Sequence, residues 1–203
     1  MPALMIRRMT PARAHAARAP RGDSRLPRIL DAAAAQFARK GYEGATIRDI
    51  VRVVGILPGS LYYHFENKDE LLVAVYAEGV RRIGDAVRAA IGGSDDPWRR
   101  LQAACAAHLE SLLVEGDYAQ VVVRVRPDDA PAVAPRLVAL RDDYERIFVG
   151  LLAALDLPPR TDRTALRMLL LGALNWTQTW YRPGKRSPRR IANSYLNLLR
   201  TLQ

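Results

Sequence analysis

Residues 59–65, Gly-Ser-Leu-Tyr-Tyr-His-Phe, combine side chains that can bind phosphate on one short segment. Leu61 and Phe65 are four residues apart, so a helix would bury both on one face. The other face would then carry Ser60, Tyr62, Tyr63 and His64. Hydroxyl and imidazole groups donate hydrogen bonds to phosphate oxygens. This outer face predicts a helix that enters the major groove of DNA.

The preceding residues predict a second helix and a tight turn. Thr46 can cap a helix, and Asp49 follows three residues later, where a capping partner is expected. Gly55 would end that helix, because glycine adopts a left-handed backbone at little cost. Pro58 would begin the next helix, since its fixed φ suits the first helical position. The segment 41–68 therefore has the pattern of a helix-turn-helix.

This pattern extends on both sides and resembles the DNA-binding domain of TetR-type transcriptional regulators over residues 24 to about 72. The matching residues are Phe37, Gly41-Tyr42, Thr46-Ile47-Arg48-Asp49-Ile50, Gly55, Gly59-Ser60-Leu61-Tyr62-Tyr63-His64-Phe65 and Lys68-Asp69-Glu70-Leu71. The resemblance implies the following DNA contacts: Thr46, Arg48, Pro58, Gly59, Ser60, Tyr62, Tyr63, His64 and Lys68. The alternative for Tyr62 and Tyr63 is a packing role.

The start of the recognition helix departs from the family, many members of which have a polar residue or lysine at Leu57 and Pro58. Leu57 has no side-chain group that can cap the helix. We therefore expect the N–H groups of Ser60 and Leu61 to lack an internal partner and to donate to a DNA phosphate instead. Sequence readout would then rest on Ser60, Tyr63 and apolar contact of Pro58 with thymine methyls.

Charge is concentrated at the end that carries this motif. The chain has 203 residues, 49% hydrophobic, with a net charge of +10. Residues 1–68 hold twelve Arg and Lys against five acids, and the remaining residues hold nineteen against sixteen. A polyanionic partner accounts for this asymmetry. Residues 1–23 are predicted to be a flexible basic arm that contacts phosphates or the minor groove, or else an inert tail.

Other classes of protein fit poorly. The one cysteine, Cys105, permits no disulfide framework or zinc set within the chain, and a buried inert thiol is favoured over a redox sensor. No cofactor or metal site is predicted. Catalytic motifs of the common hydrolase and phosphate-loop types are absent, which argues against an enzyme. No apolar run reaches the ~18 residues of a membrane span, so a cytoplasmic protein is expected.

A second group of candidate residues lies at 175–184, where polar groups alternate with Trp and Tyr. The Trp-Tyr-Arg-Pro-Gly ending resembles a subgroup of TetR-type regulators that respond to acyl-CoA thioesters, and Arg182 could pair with a phosphate or carboxylate. The alternative for this group is a role in core or dimer packing. The alternative for His108 is a core histidine whose ring nitrogens are hydrogen-bonded within the protein. The predicted ligand-binding residues are Tyr76, His108, Tyr144, Phe148, Asn175, Trp176, Thr179, Trp180 and Arg182.

Helical periodicity and caps predict an all-α fold of about nine helices. A three-helix DNA-binding domain (24–70) is joined by a long helix, from Lys68 to about Ile91, to a ligand-binding and dimerisation domain (71–203). The valine-rich segment 118–126 is predicted to be a short buried helix, because a lone strand among helices would lack a partner. The last two helices carry excess apolar surface, and the resemblance implies a homodimer formed through them.

These features predict a repressor that binds a palindromic operator in double-stranded DNA as a homodimer. A small-molecule effector, with an acyl-CoA or another large hydrophobic acid derivative as the candidate, would release it from the DNA. The alternative is a DNA-binding regulator or architectural protein that has no small-molecule effector.

Overall fold

The computed structural model describes residues 25–114 and 116–201, and within these ranges the chain is all-helical, as predicted. Between α6 and α7 lies a short 3-10 helix, Pro127–Asp129. In chain order the α-helices are α1 (Leu26–Gly44), α2 (Ile47–Val54), α3 (Pro58–Tyr62), α4 (Lys68–Ile91), α5 (Pro97–Val114), α6 (Asp117–Arg124), α7 (Ala134–Ala153), α8 (Arg163–Trp180) and α9 (Pro188–Thr201). The basic arm predicted at 1–23 lies outside the described residues.

Most helix ends follow from local sequence. Thr46 caps α2 by accepting the Asp49 N–H, and Asn67 caps α4 by accepting the Glu70 N–H. Gly41 interrupts α1 with φ 72° and ψ 173°, close to where the sequence predicted its end. Gly55 ends α2 in the left-handed conformation expected of it, with φ 75°. The valine-rich segment forms the helix α6, which confirms the helical prediction over the strand.

The helices enclose two hydrophobic cores, which α4 connects. The first core contains α1, α2, α3 and the first half of α4, and also α6 and the start of α7. The second contains the end of α4 together with α5, α7, α8 and α9. With 24 residues, α4 is about 36 Å long and therefore reaches both cores. The first core thus extends beyond residues 24–70, because α6 and the start of α7 pack into it. The boundary of the DNA-binding domain at residue 70 stays a prediction.

Two further predictions concern the burial of Cys105 and the presence of helices that could span a membrane. Cys105 is fully buried in the second core, and burial raises the pKa of its thiol to about 12. The thiolate form that reacts with oxidants is therefore scarce at neutral pH, as expected for an inert thiol. None of the helices that the structure describes is both long and apolar enough to cross a membrane.

Candidate nucleic-acid interface and effector cavity

The helix-turn-helix has the arrangement that the sequence predicted. Leu61 and Phe65 are buried in the first core, and they hold α3 against α2. On the opposite face, Tyr62 is 52% exposed and Tyr63 is 84% exposed. The ring of His64 lies 5.2 Å from that of Tyr63 in an edge-to-face arrangement. Tyr63 occupies the C-cap of α3, and His64, which is half-buried, follows it. With Tyr62 they form a surface of aromatic and imidazole groups that suits contact with phosphates and base edges.

The start of α3 confirms the prediction of a weak cap in one respect and corrects it in another. Leu57 occupies the cap position, makes no side-chain capping bond and is largely exposed. However, the N–H of Ser60 donates to the Leu57 carbonyl at 3.0 Å. Ser60 therefore has an internal partner because the first turn of α3 closes on itself, and the prediction that its N–H lacks one was wrong. Pro58 and Gly59 are exposed at this helix start.

At the start of α2, a small polar cluster fixes the helix that would cross the DNA backbone. Thr46 accepts the N–H of Asp49 at 3.1 Å and donates its hydroxyl to the Asp49 carboxylate at 2.9 Å. The Lys40 ammonium donates to the same carboxylate at 2.7 Å and, with the Thr46 hydroxyl, lowers the pKa of Asp49 to about 2. Arg48 is exposed beside this cluster, and its guanidinium makes no hydrogen bond or ion pair with a described residue.

The structure gives Lys68 a role that the sequence did not reveal. Its ammonium donates to the carbonyl oxygens of Tyr42 at 2.9 Å and Ala45 at 3.3 Å. The same ammonium lies 4.2 Å from the centre of the Tyr42 ring. These contacts tie the start of α4 to the turn between α1 and α2. Contact of Lys68 with a DNA phosphate stays a prediction, and in this structure its donors are directed inward.

Behind the DNA-binding domain, a cavity of about 270 Å³ lies between α4, α5, α6, α7 and α8. His108 of α5 is buried in its wall, with Nδ1 2.5 Å from the Tyr144 hydroxyl and Nε2 3.0 Å from the Asn175 side-chain oxygen. If Nε2 carries the proton, it donates to Asn175 while Nδ1 accepts from Tyr144, so every group is satisfied. Burial lowers the pKa of His108 to about 4, so the ring is neutral at pH 7.

Four of the predicted ligand-binding residues line this cavity: Tyr76, His108, Tyr144 and Asn175. Phe148 is fully buried behind them, with its ring centre 5.9 Å from that of His108. Trp176 and Thr179 lie instead on an adjoining surface groove between α6 and α8. The structure places Trp180 and Arg182 in neither space, because the end of α8 turns both toward solvent. Ligand contact by these last two residues stays a prediction.

Sequence reasoning missed three charged residues of the cavity wall, which are Arg126, Arg141 and Glu145. Glu145 lies 3.6 Å from Arg141 and 3.4 Å from Arg167, so its charge is balanced by these two guanidinium groups. The signal for Arg126 was present in the sequence Val-Arg-Val-Arg at 123–126, where cations alternate with valines. Its position on the cavity depends on how α6 packs, which a local pattern does not reveal.

The helix α6 lies between this cavity and α1 of the DNA-binding domain. Val122 and Val125 face the cavity, whereas Tyr118 donates its hydroxyl to Asp31 of α1 at 2.9 Å. The guanidinium of Arg82 in α4 stacks 4.0 Å from the Tyr118 ring. Burial and the hydrogen bond to the Asp31 carboxylate together raise the pKa of Tyr118. A molecule that displaced α6 from inside would therefore act directly on contacts to α1.

Sequence profiles of two protein families match most of the described chain. The profile of bacterial regulatory proteins of the tetR family covers residues 29–75, which contain the helix-turn-helix. That of the tetracyclin repressor-like C-terminal domain covers residues 94–202, which contain α5 to α9. The division between the two profiles falls on α4 and the turn after it, in agreement with the two cores.

Individual relatives agree with the profiles. The HTH-type transcriptional repressor KstR2 of Mycobacterium tuberculosis strain CDC 1551 is 33% identical over 120 residues, which is 59% of each chain. KstR2 of Rhodococcus jostii is 27% identical over 185 residues, which cover 86% of this chain and 89% of that protein. The chain thus spans less than two thirds of the first of these relatives and most of the second.

Solved structures extend the likeness to the fold. The crystal structure of superantigen PfiT has a TM-score of 0.71 at 32% identity and covers 87% of this chain and 96% of its own. That of the ketosteroid transcriptional regulator KstR2 of M. tuberculosis has a TM-score of 0.66 at 27% identity and covers 88% and 94%. With its helix-turn-helix, its second core and both family profiles in the expected order, the chain belongs to the TetR family of bacterial regulatory proteins.

Proposed function

We propose that this protein is a transcriptional repressor that binds operator DNA through α3 and is released by a small-molecule effector. The observation that carries this proposal is the position of α6. One side of α6 borders the cavity, and the other holds α1 through Tyr118 and Asp31. The relatives named KstR2 are described as repressors, which supports the same direction of control.

The DNA contacts of the proposal are exposed and half-buried residues of the helix-turn-helix. Tyr62, Tyr63 and His64 would bind phosphates and base edges, and Arg48 would bind the backbone from α2. Pro58 and Gly59 would allow close approach to the groove. Because Leu57 cannot cap α3, we expect sequence preference to depend more on Ser60, Tyr63 and thymine contact by Pro58 than on a charged residue at the helix tip.

The same proposal includes a homodimer, supported by exposed apolar side chains on the last two helices. Met168, Gly172, Trp176 and Trp180 recur every four residues and share one face of α8. Met168, Trp176 and Trp180 are exposed there, as is Leu198 on α9. A contiguous apolar face of this kind marks an interaction surface. A second copy of the chain would bury it and would set two recognition helices against a palindromic operator.

The effector side of the proposal rests on the chemistry of the cavity. Its wall is largely apolar, with His108, Tyr144 and Asn175 as neutral polar groups and with charged residues at one side. This composition suits an amphipathic organic molecule. An acyl-CoA or another large hydrophobic acid derivative is the class we infer. The cavity residues would bind it, and by displacing α6 it would favour the form that does not bind DNA.

DNA binding is tested by selecting sequences from a random duplex pool with the full chain, followed by gel shifts at several salt concentrations. We expect a palindromic consensus and at least tenfold preference over bulk DNA. Tyr63→Ala should weaken binding to the selected duplex at least tenfold, while Val114→Ala, which also changes an exposed apolar residue but on α5, should leave binding unchanged. Equal affinity for every sequence would contradict the proposal.

Sequence readout and effector response are tested on the selected duplex. Footprinting of Pro58→Lys should show a changed base preference at one or more operator positions. An unchanged preference at every position would exclude a readout role for Pro58. Titration of the complex with acyl-CoAs of increasing chain length should release the DNA. Specific binding that no acyl-CoA or free acid reverses would favour the alternative, a regulator without a small-molecule effector.

A further inference from the structure

A second space adjoins the cavity. This surface groove has a volume of about 380 Å³ and lies between α6 and α8. We call it the α6–α8 groove, and its lining residues are Val123, Arg124, Arg126, Gly172, Asn175, Trp176, Gln178 and Thr179. Three of these, Val123, Arg126 and Asn175, also line the cavity. The two spaces therefore share a common wall at the junction of α6, the 3-10 helix and α8.

Size indicates that the two spaces serve one ligand. The cavity alone, at about 270 Å³, lies below the ~300–1,000 Å³ usual for sites that bind drug-sized molecules. The groove alone is open on the surface and would bury only one side of a ligand. A molecule that filled the cavity and continued along the groove would be enclosed at one end and reach solvent at the other.

Both spaces are lined by arginines, but only the cavity lining also contains an acid. The cavity contains a carboxylate, Glu145, which lies close to Arg141 and Arg167. The lining of the groove contains two arginines and no acid. Neither Arg124 nor Arg126 forms an ion pair with a residue in the described ranges. The Asp129 carboxylate accepts the backbone N–H of Arg126 at 2.7 Å rather than its guanidinium. The groove is therefore a cationic surface with no resident counter-charge among the residues that line it.

We propose that Arg124 and Arg126 form an anion-binding subsite for the charged end of the effector, whose apolar body occupies the adjoining cavity. Guanidinium groups bind phosphate and carboxylate oxygens in two-point contacts, and the exposed Trp176 indole offers a flat surface beside them. The ligand class is thus an amphipathic molecule with a hydrophobic body and a phosphate- or carboxylate-bearing end. This inference rests on the proposed function and specifies its effector site.

Arg124 also links this subsite to the DNA-binding domain. Its guanidinium donates to the Ala38 carbonyl of α1 at 3.4 Å. An anion in the groove would compete with that carbonyl for the same donors, and a charged acceptor makes the stronger hydrogen bond. Binding at the subsite would therefore weaken a contact between α6 and α1. Gly172 and Trp176 also belong to the apolar face of α8, so a second copy of the chain would border the groove.

The test is calorimetric titration of the full chain with three probes: octanoyl-CoA, coenzyme A and octanoate. Octanoyl-CoA should bind at least tenfold more tightly than coenzyme A, because only the thioester places an acyl group in the cavity. Octanoate distinguishes the sources of negative charge. If the subsite takes phosphates, octanoate binds more weakly than octanoyl-CoA, and if it takes a carboxylate, octanoate binds as tightly and shows the same dependence on the two arginines.

The decisive variant is Arg124→Gln/Arg126→Gln, compared with Arg186→Gln/Arg190→Gln. The control removes two exposed cations from the α8–α9 loop and the start of α9, outside both spaces, so net charge changes equally. We expect the first variant to weaken binding of the tighter probe at least tenfold and the control to change it less than twofold. Arg126→Gln alone preserves the bond from Arg124 to Ala38, so it remains informative if the double variant does not fold.

Two results would overturn the inference. One is equal weakening in both double variants, which would show only a general effect of charge. The other is absence of binding of every probe by the unmodified chain, or binding that does not depend on the acyl group or on the arginines. Operator binding by the ligand-free chain is measured separately and does not depend on this subsite. Failure to bind the operator would contradict the proposed function, whereas operator binding together with a failed titration would contradict this inference alone.

Discussion

Gly79 of α4 packs directly against Tyr118 of α6, with no room for a side chain between the two helices. A Cβ atom on Gly79 would lie 2.9 Å from the Tyr118 carbonyl oxygen and 2.7 Å from Cγ2 of Val122. The Val122 methyl could move, but the carbonyl belongs to the backbone of α6. This close approach fixes the spacing between the helix that joins the two cores and the helix that borders the cavity.

Gly79→Ala should therefore displace α6 and destabilise the fold. Forcing a methyl group into a packed crossing costs roughly 1–3 kcal/mol, which outweighs the ~0.5–1 kcal/mol that alanine gains over glycine inside a helix. The matched control is Gly150→Ala in α7, where no atom lies within 4 Å of the added Cβ, so that variant should gain stability. Thermal unfolding measures both changes, and a Gly79→Ala protein as stable as the control would show that α6 is not held by this contact.

A second prediction concerns the hydrogen bond between Tyr118 and Asp31 that joins α6 to α1. Tyr118→Phe removes the hydroxyl but keeps the ring on which Arg82 stacks. Because the Asp31 side chain is 61% exposed, we expect the unfolding free energy to fall by about 1 kcal/mol rather than by the larger value for a buried charged pair. In a double-mutant cycle with Asp31→Ala, which removes the acceptor, urea unfolding should give a coupling energy above ~0.5 kcal/mol. Additive effects of the two changes would exclude the bond as a link between the helices.

Much of this fold is predictable from the sequence because the deciding interactions are local. The predicted limits of α4, Lys68 and about Ile91, agree with the structure, since Asn67 caps its start and the apolar periodicity runs without a break. Gly55 and Pro58 likewise define the turn of the helix-turn-helix. Helix caps, glycine in the left-handed region and periodic burial all act over a few residues, so a sequence pattern contains them.

The residues whose positions the sequence did not reveal depend on distant contacts. Lys68 was expected to face DNA, yet it binds carbonyl groups 23 and 26 residues earlier in the chain. Trp180 and Arg182 belong to the same short motif as Asn175, but the turn of the helix directs only Asn175 into the cavity. Arg126 lines the cavity just after the end of α6, which packs against α4 at Gly79. Each of these outcomes is decided by tertiary packing, which no local pattern specifies.

The contacts of Lys68 lead to a test that separates a structural lysine from a phosphate ligand. Lys68→Met should lower the unfolding free energy by roughly 1.5–3 kcal/mol, because it removes a charged donor from the Tyr42 and Ala45 carbonyls. The comparison is Arg48→Gln, which changes an exposed cation with no described partner. That variant should keep its stability and reduce the salt dependence of operator binding, by about 0.9 in the log–log slope for each phosphate that it no longer neutralises.

The opposite result for the two variants would identify Lys68 as a DNA contact. If Lys68→Met melts at the temperature of the unmodified protein and its operator binding becomes less dependent on salt instead, then the ammonium contacts DNA and its inward bonds contribute little. Gel shifts between 50 and 200 mM salt, as an approximate range over which phosphate contacts are resolved, together with thermal melts of both variants, distinguish these outcomes.

His108 makes the stability of the second core depend on pH. Its pKa is about 4 in the folded protein, against 6.5 for a free side chain. Between these values the unfolded chain binds a proton that the folded chain does not, so the unfolding free energy falls as the pH falls through this window. The full effect is roughly 3 kcal/mol. Urea unfolding at about pH 7 and pH 4.5 should show most of this decrease.

A substitution separates the pH dependence of the unfolding free energy that His108 causes from the pH dependence that Asp and Glu side chains cause. His108→Gln keeps a neutral polar side chain beside Tyr144 and Asn175 but has no group that titrates in this range. The difference in unfolding free energy between the unmodified protein and this variant should shrink on acidification. A difference that stays constant from pH 7 to pH 4.5 would mean that His108 is protonated in the folded protein or accessible to water.

The apolar face of α8 and α9 gives the last prediction, which concerns the oligomeric state. Met168 and Leu198 are exposed on this face, beside the groove that Leu169, Tyr195 and Leu199 line. If a second copy covers the face, Met168→Glu/Leu198→Glu would bury two unpaired charges on each side and should convert a dimer to a monomer. Light scattering on a sizing column measures the mass directly. The control Val114→Glu/Val53→Glu alters two exposed valines outside this face and should remain dimeric.

Operator affinity should fall when the dimer dissociates, because each monomer then contacts one half-site without help from the other. A dimer that survives both glutamates would place the interface elsewhere, whereas a monomeric unmodified chain would contradict the proposed homodimer.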